Sequence, residues 1–192
     1  MGANIRKNGQ TRVVIVGGGI GGLKLAMSLR HTDYQVVLVD KNNYNQFPPL
    51  IYQVASAGLE PSNIAFPFRR IFQGWKNFFF RMAEVKAIDE KEKAIETTVG
   101  AIHYDYLILA AGATTNFFGN KNIEQNTLPM KTVTEAMTLR NTILSTLEKA
   151  ETEDNPEKLQ ALMNFVIVGG GPSGVEIAGA LADMKKYVLP RD

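Results

Sequence analysis

The chain has no cysteine among its 192 residues. Disulfides, thiolate metal sites, iron–sulfur clusters and a CxxxxC redox pair are thereby excluded from this segment. Histidine is almost as scarce. His31 and His103 are the two present, far apart and without ligand-like spacing, so no metal site is expected. An excess of one charge is missing too: 21 Lys and Arg stand against 19 Asp and Glu, a formal net charge of +2. Basic residues gather only in pairs such as Arg69-Arg70 and Lys185-Lys186, which read as solvated surface, so no nucleic-acid partner is expected. No apolar run approaches the roughly 18 residues of a membrane-spanning helix. The stretch from Met1 to Arg12 is polar and holds no secretion-type apolar core. The expectation is a protein kept inside the cell, 45% hydrophobic, sized for one core or for one domain and part of another.

What is present is glycine in a telling place. Residues 12–16 (RVVIV) form an apolar, β-branched run suited to a strand buried on both faces. GGGIGG follows at 17–22, then Leu23, Leu25, Ala26 and Leu29 at helical spacing, and a second buried strand at 35–40 ending in Asp40. In a GxGxxG turn the first glycine permits the bend and the second admits backbone to a pyrophosphate. The third lets helix and strand pack closely. Gly17, Gly19 and Gly22 hold those positions, and Asp40 stands 23 residues after Gly17, near the spacing of a carboxylate that binds ribose hydroxyls. The helix N-terminus adds unpaired N–H groups and partial positive charge for phosphate.

The same theme returns about 150 residues later, too far apart for a solenoid period. A run at 165–168 (FVIV) predicts a strand, Gly169, Gly171 and Gly174 repeat the glycine spacing, and residues 175–184 predict a helix. Glu176 lies just past the last glycine, on the expected first turn. From position alone it is equally a carboxylate favoured by the helix dipole and a functional group. Between the two motifs, residues 41–49 predict an extended loop and 50–57 a short helix. Pro61-Ser62 opens another helix, disturbed at Pro67, to about Ile71. A strand at 77–81, two extended runs around the turn 89–92 and a buried strand at 106–111 follow. Thr132 and Glu135 make a capping box ahead of a helix whose face is Ala136, Leu139, Ile143 and Leu147. The fold class expected is α/β: a Rossmann-like dinucleotide-binding domain with a small β-meander, then the start of a second Rossmann-like domain. The boundaries are 1–115 and 116–192.

Two such motifs separated by a meander resemble the flavoproteins with two dinucleotide-binding domains, where the first domain holds FAD and the second NAD(P)H. Residues 104–112 (YDYLILAAG) resemble that superfamily's second fingerprint, with Ala111 where threonine is usual. More specifically, the chain resembles the type II NADH:quinone oxidoreductases. The runs 41–44 (KNNY) and 49–55 (PLIYQVA) with Ala57-Gly58, 117–119 (FFG) and 169–176 (GGGPSGVE) carry that resemblance across nearly the whole chain. Asn45 stands where many members have histidine.

The resemblance implies FAD and NADH as cofactors and a quinone as acceptor. Gly17, Gly19, Ile20, Gly21 and Gly22 would surround the FAD pyrophosphate, with Asp40 and Lys41 at the ribose and Val85 at adenine. The loop with Phe47, Pro49 and Gln53 would approach the flavin, and Ala111-Gly112 would contribute backbone. Gly170, Gly171, Pro172, Ser173 and Gly174 would hold NADH, and Glu176 would position nicotinamide or relay protons. For Tyr44, Phe47, Tyr52, Phe66 and Phe68, plain core cover is the competing reading. The resemblance also implies peripheral membrane attachment on the cytoplasmic side through a C-terminal region, and the sequence leaves open whether the chain forms a homo-oligomer. By the same comparison this chain is expected to be an N-terminal fragment impaired in activity. A reductase with a ferredoxin or rubredoxin acceptor and a nonenzymatic nucleotide-binding module stay open as alternatives.

Overall fold

The computed structural model describes residues 3–6 and 8–189. Strand β1 (Arg12–Val16) leads through the first glycine turn into α1 (Ile20–Ser28) and on to β2 (Gln35–Asp40). β3 (Tyr44–Gln46), α2 (Ile51–Ala55), β4 (Ala65–Pro67) and α3 (Phe68–Ile71) follow, with 3-10 turns at Pro48–Leu50 and Pro61–Asn63. Next come β5 (Phe78–Met82), the meander β6 (Val85–Asp89), β7 (Ala94–Thr97) and β8 (Gly100–His103), and then β9 (Tyr106–Leu109). Helices α4 (Lys121–Asn126), α5 (Val133–Glu151), α6 (Pro156–Leu162) and α7 (Pro172–Asp183) close the series, the last running into a π-helical turn at Met184–Val188. Among the described residues no helix is long and apolar enough to cross a membrane.

The chain divides into two compact units: residues 1–46 with 65–113, and residues 47–64 with 114–192. The first is built on a parallel sheet ordered β5-β2-β1-β9. Its strands alternate between two cores, as a pleated strand must. Val13, Ile15, Val36, Leu38 and Phe80 point to one face with Ala26, Phe68 and Phe72. Val14, Val37 and Val39 point to the other, against Ile95 and Ile102 of the meander. Covering on both faces explains why β1 and β2 read as unbroken apolar runs. Arg12 and Gln35, at the amino ends of these strands, are buried polar exceptions. The Arg12 guanidinium bonds to the Gln35 side chain and to the His103 carbonyl at 3.2 Å, and the Arg12 backbone N–H donates to Asp105 Oδ2 at 2.6 Å. Burial lowers its pKa, and Asp105 opposes that shift.

Residues 61–71 depart from the helix expected there. Phe66 is extended in β4, paired antiparallel with Asn45 of β3, and helix begins only at Phe68. Proline explains this. The residue before it is driven to extended backbone, and Pro67 itself (φ −60°, ψ 128°) caps α3 without needing an N–H. The loop expected at 41–49 likewise contains β3.

In the second unit, α2 packs on α5 and α7. The capping box at the start of α5 is complete. Thr132 Oγ1 accepts from the Glu135 N–H at 3.2 Å, and Glu135 Oε2 accepts from the Thr132 N–H at 2.9 Å. Ala136 and Ile143 are buried on the predicted face. The strand expected at 165–168 is not formed: these residues lie outside any ladder, and Val166 is 79% exposed. A two-sided buried strand needs neighbours to satisfy its N–H and C=O groups, and among the described residues none pairs with it.

Candidate functional site

The carboxyl ends of all four parallel strands lie along one sheet edge. The strand order reverses at β1, with β2 on one side and β9 on the other, so the edge beside β1 is a switch point of the type where α/β sheets take ligands. There Val39 accepts from the Gly17 N–H at 2.8 Å and Val16 from the Ala110 N–H at 2.7 Å, seating the glycine turn between the two neighbouring strands. Gly17 has φ +99°, and a Cβ on it would lie 2.2 Å from the Ala110 carbonyl oxygen. Only glycine meets both conditions. A Cβ on Gly22 would lie 1.8 Å from the Gly17 carbonyl oxygen, which is the close helix–strand approach the third glycine permits.

Gly19 is the N-cap of α1 and receives no side-chain cap. Among the described residues, the N–H groups of Gly19, Ile20, Gly21 and Gly22 have no acceptor within the protein. Nothing lies within 4 Å of a Cβ built on Gly19 or Gly21. Open donors on open ground at a helix N-terminus fit a dinucleotide diphosphate in charge and in shape.

Asp40 is engaged with the turn itself. Its Oδ2 accepts from the Gly18 N–H at 2.6 Å and its Oδ1 from the Asn42 N–H at 2.7 Å. Each carboxylate oxygen keeps further acceptor capacity for a ribose. Asn45, which the sequence offered only as a departure from histidine, is buried, and its Nδ2 donates to the Gly18 carbonyl at 2.7 Å. A Cβ on Gly18 would lie 2.1 Å from Phe68 Cζ, so the fully buried Phe68 ring backs this peptide. Both contacts escaped sequence reasoning, because they join residues 27 and 50 positions apart through the β3–β4 pairing.

The remaining candidates in this unit are dispersed around the same edge. Lys41 is exposed directly after Asp40. Val85 is half-buried, starting β6 opposite Thr97. Beside it the exposed Glu84 is held below the usual carboxylate range by its hydrogen bond to Lys86, by the charge of Lys86 and, more weakly, by Lys41. The Ala111 Cα is 3.0 Å from a Cβ built on Gly17, and Gly112 (φ +73°) follows in the open.

The second unit repeats the turn. Gly169 has φ +112°, Gly171 is the N-cap of α7 (φ −72°, ψ 175°) and a Cβ on Gly174 would lie 2.1 Å from the Gly169 carbonyl oxygen. For Gly19 the cap angles are φ −67° and ψ −167°. Leu23 N–H donates to Gly19 at 2.9 Å and Val175 N–H to Gly171 at 3.1 Å. The two turns are therefore backbone copies. Gly170 and Gly171 have open space at their Cβ positions, Pro172 is the first helical residue of α7, and Ser173 and Gly174 line a groove of about 580 Å³ beside residues 165–168. Glu176 is exposed and lies in the second turn of α7, because the helix starts at Pro172 rather than Val175. The dipole effect fades within one turn, so this placement weakens the reading of Glu176 as a dipole-stabilised carboxylate. Glu176 and Gln53 line one groove of about 820 Å³, with Tyr52, Gly179 and Ala180 also on its wall. The Gln53 amide donates to the Tyr52 hydroxyl at 3.0 Å. Phe47 and Phe66 are about half-exposed, whereas Phe68 is wholly core.

A parallel sheet with a glycine turn at its switch point, and a second copy of that turn on α7, define a Rossmann-like α/β protein. The family model for pyridine nucleotide-disulphide oxidoreductases matches residues 11–189, and the chain belongs to that family. It is 38% identical over 187 residues to the type II NADH:quinone oxidoreductase NdhA of Mycobacterium tuberculosis, covering 94% of this chain and 39% of that protein. It is 30% identical to the mitochondrial external alternative NADH-ubiquinone oxidoreductase of Yarrowia lipolytica, covering 89% of this chain and 31% of the other. Among solved structures, NDH2 from Plasmodium falciparum in complex with NADH superposes with a TM-score of 0.85 at 26% identity, over 94% of this chain and 38% of that one. The chain thus spans about two-fifths or less of the length of these relatives.

Proposed function

We propose that this chain supplies the two nucleotide-gripping turns of an FAD-dependent oxidoreductase that passes hydride from NADH to flavin and two electrons on to a quinone. The observation that carries the reading is the duplicated turn: one backbone design occurs twice in one chain, as an enzyme holding two dinucleotides requires. Residues 1–115 form the FAD-binding part and 116–192 the nicotinamide-binding part. The similarity to NADH:quinone oxidoreductases supports the choice of donor and acceptor.

When bound, FAD supplies the hydride-accepting and electron-passing chemistry. The protein binds and orients. Gly19 to Gly22 present N–H donors to the FAD diphosphate while Gly17 makes the bend that seats them, Asp40 and Lys41 serve the ribose, and Val85 lies at adenine. Ala111 and Gly112 border the turn through backbone. Gly170 to Gly174 hold the NADH diphosphate likewise, with Ser173 among the donors and Pro172 setting the helix start without an N–H of its own. Glu176, on the groove it shares with Gln53, positions nicotinamide or relays a proton on the way to quinone. Because quinones reside in membranes, the acceptor side works at a membrane surface, through peripheral attachment on the cytoplasmic face.

The test is flavin content followed by acceptor choice. FAD released from the purified chain is counted per polypeptide, NADH is added without oxygen, and re-oxidation by a short-chain quinone is compared with that by ferredoxin or rubredoxin. Bound FAD that NADH bleaches is the expected result, with re-oxidation impaired in this chain alone but faster by the quinone than by the protein acceptors. Failure to retain FAD, or re-oxidation by the protein acceptors alone, sinks the reading.

A further inference from the structure

We propose that Asn45 is a positioning residue for the FAD diphosphate, acting by locking the Gly18 peptide groups so that the Gly19 N–H is presented to the ligand. The inference rests on the FAD reading of the first turn. A trans peptide points its C=O and N–H in opposite directions, so holding one aims the other. Asp40 grips the Gly18 N–H. This directs the Gly17 carbonyl the other way, toward Gly22, where only a missing Cβ leaves room for it. Asn45 grips the Gly18 carbonyl, and that directs the Gly19 N–H away from the buried Asn45 side. Gly19 is where no side chain caps α1 and nothing fills the space of a Cβ. The Phe68 ring closes the remaining side of Gly18. The peptide groups on either side of its Cα are therefore fixed by three contacts from β2, β3 and α3.

The second turn supplies a comparison within the same molecule. Gly169 to Gly174 reach the same backbone conformation, yet among the described residues no side chain bonds to Gly170, the counterpart of Gly18. The clamp is thus unnecessary for the turn to form. What it adds is rigidity: a donor already aimed loses less orientational freedom when the ligand arrives. A turn that keeps its cofactor gains from this, whereas one that exchanges its nucleotide every cycle has less need of it.

The experiment compares the chain with N45A and with the near-isosteric N45D, which sets an acceptor oxygen against the Gly18 carbonyl. Flavin fluorescence quenching gives the FAD Kd, and ³¹P spectra of bound FAD report the diphosphate environment. With far-UV circular dichroism unchanged, FAD Kd is expected to rise about tenfold, the scale of one lost buried hydrogen bond. The ³¹P resonances should move, and with FAD bound the Gly19 amide should exchange faster than in the wild-type complex. A folded variant with unaltered FAD Kd and Gly19 exchange overturns the role of Asn45 while leaving the FAD reading intact. Wild-type chain that takes up no FAD removes both. Should both variants unfold, the wild type still decides. A through-hydrogen-bond coupling between Asn45 Nδ2 and the Gly18 carbonyl carbon must persist when FAD binds, and its disappearance overturns the proposal.

Discussion

Gly18 occupies a position that the GxGxxG spacing leaves unspecified, yet its surroundings tolerate no side chain. Its Cβ would sit 2.1 Å from a ring carbon of Phe68, which is fully buried and packs on Phe80 at 5.0 Å between centroids. Gly18→Ala should therefore cost about 1–3 kcal/mol through overpacking, read as a lower urea midpoint. Gly21 makes the opposite prediction. It is within α1 with nothing near its Cβ, so Gly21→Ala should stabilise the chain by about 0.5–1 kcal/mol through helix propensity. If the diphosphate lies over this turn, the added methyl should also weaken FAD binding. A variant that is both more stable and unchanged in FAD affinity argues against a ligand there. Glu176 separates by the same logic. Its exposure and second-turn placement keep the stability effect of Glu176→Gln within about 0.5 kcal/mol, so a lost hydride transfer with an unchanged melting point marks a functional carboxylate.

Elements whose cause is local were legible in the sequence, and those whose cause is distant were not. β1 and β2 announced themselves by β-branched runs, α5 by its capping box, and the two turns by glycine spacing. Thr132→Ala should accordingly cost about 1 kcal/mol, measurable in thermal unfolding, since Thr132 Oγ1 holds the Glu135 N–H of a 19-residue helix. β4 was read as helix because Ala65 and Phe66 have no local preference strong enough to reveal their partner, β3, some twenty positions earlier. For residues 165–168 the local signal was strong and the neighbours were lacking, so apolar composition alone produced no strand. In the site, Gly17, Gly19, Gly22 and Asp40 were readable from spacing. The Asn45 and Phe68 contacts to Gly18 needed the folded path of the chain. The third glycines give a paired test: Gly22→Ala and Gly174→Ala each drive a Cβ to 1.8 or 2.1 Å from a backbone carbonyl oxygen. The first should abolish FAD binding and the second NADH binding, as read by separate titrations. A reversed pattern would mean that the two turns serve the other nucleotides.

At the scale of the whole molecule, the division into two units makes ligand effects separable in place as well as in size. A ligand at about 100 times its Kd stabilises what it binds by about 2.7 kcal/mol, provided the unfolded chain does not bind it. For a chain of this length that corresponds to a rise in melting temperature of roughly 5–10 °C. Under the proposed assignment, saturating FAD should slow amide exchange first in 12–46 and 65–113, where β1, β2 and the clamped Gly18 peptides lie. NADH should act first in 165–180, where the unpaired run and the start of α7 leave the most room for ordering. The relative sizes matter too. The first turn is already fixed by Asp40, Asn45 and Phe68, so FAD should add protection mainly at the open N–H groups of Gly19 to Gly22. The second turn has no such clamp among the described residues, so NADH should tighten Gly169 to Gly174 as a whole. FAD protection that appears first at Gly169 to Gly174 would reverse the assignment of the two turns, because a ligand orders most strongly the backbone that it touches.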